Sequence, residues 1–167
     1  LLREASSSPL APGTPEAQRR IVEFGFAVAA AELGDPDALE SVRAGVFAPE
    51  EQGELALLAC EALGRLGDQT YAGVLEERAF RAASGETPLE IGLAAAGAVA
   101  QLRPEMAPLA WIVESGSHEQ PLIRQQAAAI LGLTVGSEAE AKLLAMLQDP
   151  DPLVRASAAV SILRRGR

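Results

Sequence analysis

Five stretches of this chain can be laid over one another. They open at Arg20, Gly53, Pro88, Pro121 and Pro152, so successive starts lie 33, 35, 33 and 31 residues apart. A period in this range is the mark of stacked supersecondary units, none of which can bury its apolar face alone. It confines the chain to a short list of folds before any single residue is considered.

The register of the overlay is physical. Six residues into the units stand Phe26, Ala59, Ala94, Ala127 and Ala158, and seven residues in stand Ala27, Cys60, Ala95, Ala128 and Ala159. Ten residues in come Ala30, Leu63, Ala98, Leu131 and Ile162. Small side chains thus recur mid-unit and larger apolar ones a turn away, the spacing of one helix face. The third unit departs from the pattern, with Glu90 flanked by Leu89 and Ile91 where its counterparts are Val22, Leu55, Ile123 and Val154. The chain is 49% hydrophobic but only 4% aromatic, so the core has to be built from Ala, Leu, Val and Ile. Alanine is the best helix former and lets helices approach closely.

Punctuation between the apolar runs supports nine helices. Thr14-Pro15, Asp35-Pro36 and Asp151-Pro152 pair a capping side chain with Pro at the first helical position. Thr87-Pro88-Leu89-Glu90 and Ser137-Glu138-Ala139-Glu140 read as capping boxes. Gly34, Gly67 and Gly166 follow helical runs and suit left-handed ends. The longer helices are expected over 15–33, 50–66, 88–102, 119–134 and 152–165, the shorter over 36–47, 69–84, 105–115 and 138–148. Links of a few residues force neighbours to run antiparallel, so each shorter helix and the next longer one form a hairpin. Residues 1–14, with three consecutive serines, read as a flexible arm or the stub of a preceding repeat, and 15–167 as the repeat domain.

Net charge is −9, which disfavours a nucleic-acid surface, since that needs a basic face to displace phosphate counterions. No run is long and apolar enough for a membrane span. Cys60 is the one cysteine, so no intrachain disulfide forms. The chain does not open on Met and reads as a piece or processed form of a longer protein. The compartment stays open, with the cytoplasm favoured over export.

The tail from Leu143 through Gln148-Asp149-Pro150-Asp151-Pro152-Leu153-Val154-Arg155 to Ala159 resembles a HEAT repeat. It is most similar to the short HEAT-like type named after phycobilisome bilin lyases. The motif covers 138–167, recurs as Pro121-Leu122-Ile123-Arg124 within 105–135, and is matched over 36–102 in rhythm rather than in residues. The resemblance implies an all-α fold: a right-handed α-α superhelix, a solenoid of about four to five helical hairpins. Ankyrin repeats are disfavoured because Thr87-Pro88-Leu89 occurs once and without its His, and tetratricopeptide repeats because their aromatic signature is missing.

Few residues point to chemistry. His118, the only histidine, forms a His-Glu pair with Glu119 like those with which HEAT-like deoxyhypusine hydroxylases hold iron, but such sites need several imidazoles, as zinc sites need more N and S ligands. Its plainer reading is a first helical turn capped by Ser117. Cys60 could be an activated nucleophile, yet it stands in a column of alanines and reads as core. Glu50, Glu51, Glu54 and Glu61 could pair as acid and base, or simply favour a helix N-terminus. Arg124 and Arg155 are expected to pair with Asp149 or Asp151, and Trp111 to pack between helices. No catalytic, cofactor or metal site is expected. The resemblance implies a non-catalytic scaffold whose second helices line a concave face, binding a basic or polar protein or peptide. Its outward positions would include Glu23, Glu54, Glu61, Gln101, Gln125, Gln126, Ser157 and Ser161. The alternative that the family implies is a bilin lyase-like, tetrapyrrole-handling subunit.

Overall fold

The computed structural model describes residues 16–48 and 53–166. The expected arm over 1–14, the Thr14-Pro15 cap, Glu50, Glu51 and Arg167 lie outside the described residues. Within them the chain is all-helical and contains no strand. The helices are α1 (Glu16–Glu32), α2 (Pro36–Gly45), α3 (Gly53–Leu66), α4 (Ala72–Ala83), α5 (Leu89–Leu102), α6 (Leu109–Ser115), α7 (Pro121–Leu131), α8 (Ser137–Met146) and α9 (Pro152–Arg165). Short 3-10 turns at Gln69–Tyr71 and Pro104–Met106 precede α4 and α6. No helix among the described residues is long and apolar enough to cross a membrane.

Both described Asp-Pro starts form as the chemistry requires. The Asp35 carboxylate accepts from the amides of Asp37 at 3.0 Å and Ala38 at 3.3 Å, and Asp151 accepts from Leu153 at 2.8 Å and Val154 at 3.3 Å. Each satisfies two donors that a helix start leaves open. Gly34 and Gly67 adopt φ of 88° and 71°, the left-handed backbone that stops a helix.

Other starts and stops differ from expectation. Gly166 has φ of −80°, so α9 ends without a left-handed residue. Pro88 is itself extended, with ψ of 138°, and α5 begins one residue later without a side-chain cap from Thr87. Gln120, ahead of Pro121, is extended at ψ of 124°, because the proline ring crowds an α-helical conformation in the residue before it. Ser117, His118 and Glu119 therefore precede α7 rather than open it. Ala107, ahead of Pro108, is extended for the same reason and splits the expected 105–115 helix. Ser137 is the first residue of α8, and the cap position falls on Gly136.

The helices form two rows. In one, α1, α3, α5, α7 and α9 pack each against the next; of the even-numbered helices, α2 and α8 lie against both flanking odd-numbered neighbours, α4 packs chiefly on α5, and α6 packs on α7 and α8. The small-residue columns are the contact surface: Ala59, Ala127 and Ala158 have no exposed area, nor do Leu63 and Leu131 one turn on. Fully burying each such leucine is worth about 1.5–3 kcal/mol. Side-chain hydrogen bonds join residues about one period apart. Ser157 Oγ donates to the Gln125 carbonyl across 32 residues, Gln69 Nε2 to that of Leu102 across 33, and Arg165 Nη1 to that of Leu131 across 34.

Two arginine clamps brace the turns. Arg124 in α7 grips Asp149 through two bonds of 2.8 Å, and its Nη1 donates to the carbonyls of His118 and Glu119. Arg43 in α2 grips Asp68 at 2.7 and 2.9 Å. Fork-on-carboxylate pairing of this kind is strong and directional. The arginine hydrogen bonds hold the Asp68 and Asp149 carboxyls below the usual carboxylate range. The expected partner of Arg124 is thus found. Arg155 instead donates to the carbonyls of Asp149 and Pro150, at 2.8 and 3.0 Å.

Candidate functional site

A groove of about 260 Å³ runs across the odd-numbered row, touching α3, α5, α7 and α9. Its floor follows from the small-residue columns. Gly97 on α5 lacks a side chain, and a Cβ there would stand 3.4 Å from Ile130 Cγ1 on α7, so the two helices meet without filling the space above them. Leu93 and Ala94 on α5, Ala129 and Ile130 on α7, and Leu133 in the turn after α7 complete an apolar lining. The rim is polar. Glu61 and Arg65 project from α3, Gln101 from α5, Gln126 from α7 and Arg164 from α9. Arg65 makes a loose 3.8 Å contact with Glu32, both side chains being half exposed. Arg164 is exposed and makes no ion pair among the described residues. The Oε1 atom of Gln126 is buried with no hydrogen-bond donor among the described residues.

Of the expected outward residues, the structure brings Glu61, Gln101 and Gln126 together at this groove. Glu23 and Glu54 are exposed but do not line it. Gln125 and Ser157 are partly buried and tie α7 to α9 through the Ser157–Gln125 bond. Ser161 is a correction: it is 1% exposed and faces α7, where a Cβ placed on Gly132 would stand 2.7 Å from Ser161 Cβ. Arg65, Arg164 and the floor residues were not anticipated. Arg65, Leu133 and Arg164 all stand twelve residues into their units, whereas Ala100 in the same column is buried.

Cys60 has no exposed area, and burial pushes its thiol up to about 12, so it stays protonated near neutrality. His118 Nδ1 accepts from the Gln120 amide at 3.1 Å, a turn-forming role ahead of α7. Trp111 is partly buried against the core, its Cη2 atom 3.1 Å from where a Cβ on Gly92 would stand. Among the described residues no group of three or more His, Cys, Asp or Glu is placed to hold a metal ion. No protein-family model matches this chain, and no curated protein matches it either.

Proposed function

We propose that the chain is a non-catalytic interaction scaffold, a HEAT-like right-handed solenoid that binds a polypeptide segment on the concave side of its odd-numbered helices. The groove across α3, α5, α7 and α9 carries the reading. An apolar floor within a rim of amides and charges is the anatomy of a protein interface: a desolvated centre for affinity and polar edges for fit. The sequence period and the row-on-row packing support the solenoid, because stacked hairpins create continuous lined surfaces of this kind.

A display library of random linear peptides, selected on the immobilised chain, tests the proposal. Binders are expected, and the variant Ala129→Trp should release them, because Ala129 is exposed on the groove lining and an indole there fills the space without disturbing the core. Failure to select any peptide, or selected peptides indifferent to Ala129→Trp, would refute groove binding.

A further inference from the structure

Charge is ordered along the odd-numbered row. On α3, Glu54 and Glu61 outnumber Arg65; α5 carries Glu90 alone; α7 carries Arg124 alone; α9 carries Arg155, Arg164 and Arg165 and no acid. The even-numbered helices show no such progression: acids match bases on α4 and exceed them on α2, α6 and α8. In a chain of net charge −9, a final helix with three arginines and no acid stands out.

Part of this charge is consumed in the fold. Arg124 is held by Asp149, Arg165 donates to the carbonyls of Leu131, Thr134 and Gly136, and Arg155 donates to two turn carbonyls. Arg164 is the α9 arginine that reaches the groove. At the opposite end stand Glu61 and Arg65; Arg65 leans toward Glu32 at 3.8 Å, so among the described residues the charge of Glu61 is the one left without a partner there. Between them the groove offers Gln101, Gln126 and the apolar floor. The site is therefore negative at its α3 end, neutral in the middle and positive at its α9 end.

Resting on the groove-binding reading, we infer that this site selects its partner by the direction of charge along a polypeptide. The occupant is a segment with basic residues at one end, an apolar side chain in the middle and acidic residues at the other. The basic end lies over Glu61, the apolar side chain meets Gly97 and Ile130, and the acidic end meets Arg164. A segment laid in the reverse sense sets like charge against like at both ends, so each attraction is replaced by a repulsion. The partly exposed rim also makes the preference sensitive to salt.

The test uses a peptide obtained from the display selection, and a second peptide in which its basic and acidic residues are exchanged. The intact chain should bind the first about three- to tenfold more tightly than the second at low salt. The double variant Glu61→Arg with Arg164→Glu should invert that order, and Glu61→Gln with Arg164→Gln should erase it. All four substitutions are at exposed positions, so circular dichroism should show the fold retained. Equal binding of the two peptides by the intact chain, or an unchanged order in the double variant, overturns the inference. If Ala129→Trp still abolishes binding in that case, groove binding itself survives. Peptides that ignore Ala129→Trp overturn both.

Discussion

Two glycines in the odd-numbered row are expected to respond oppositely to the same added methyl group. Gly64 in α3 and Gly97 in α5 are both helical and both buried. Replacing either with Ala restrains the unfolded chain and improves helix propensity by about 0.5–1 kcal/mol. That gain is common to both and cancels in the difference between them. What remains is space. At Gly97 the new Cβ would lie 3.4 Å from Ile130 Cγ1, an ordinary contact. At Gly64 it would lie 2.8 Å from Ala98 Cα and 3.0 Å from Ala98 Cβ. Ala98 has no rotamer with which to yield, so α3 and α5 must separate by about half an ångström, and overpacking of this kind costs about 1–3 kcal/mol. Gly97→Ala should therefore raise the melting temperature by roughly 1–4 °C. Gly64→Ala should lie below it by about 1–3 kcal/mol, or roughly 2–12 °C. Thermal and urea melts of the two variants and the parent, followed by circular dichroism, provide the comparison. Equal stabilities for the two variants would refute the claim that α3 and α5 touch backbone to side chain at Gly64.

Arg124→Ala should destabilise the protein at neutral pH by about 1.5–3 kcal/mol, through the loss of charge-assisted bonds to Asp149. Because Asp149 titrates below its unfolded value of about 3.9, its contribution is complete above that value and is lost as pH falls toward the depressed one. Urea melts at successive pH values should show the parent and the variant converging as the solution is acidified below about pH 4; a constant gap would contradict the pairing. Cys60, buried and protonated, should resist a thiol-specific chromogenic reagent at neutral pH and react promptly once urea unfolds the chain. Rapid labelling of the native protein would contradict its burial.

The period, the helical class and the Asp-Pro starts were legible because each is local. Asp35 and Asp151 sit beside the amides they cap, and the small-residue columns state directly which faces meet. Helix starts around Pro88, Pro108 and Pro121 were harder to place. There the proline restricts the residue before it, or is itself extended, and the helix begins later than the apolar rhythm suggests. The Arg43–Asp68 clamp spans 25 residues just as Arg124–Asp149 does, but it lies within 36–102, where the motif residues that announced the latter are missing. The groove was half visible. Glu61, Gln101 and Gln126 are polar residues on an exposed helical stripe, whereas Arg164 reads as one of several terminal arginines until packing separates it from Arg165. Ser161 misled because a hydroxyl on a helix looks outward until a glycine opposite makes room for it.

The principal helix contacts in this molecule join elements no more than two places apart in the chain. Among the described residues no principal contact ties the first helices to the last, so loosening at one terminus leaves the far hairpins intact. Amide exchange should accordingly rise in steps from the middle toward either edge rather than switch on everywhere together. Such predominantly local wiring also gives a low contact order, so collapse can begin in any hairpin and spread sideways within milliseconds or less.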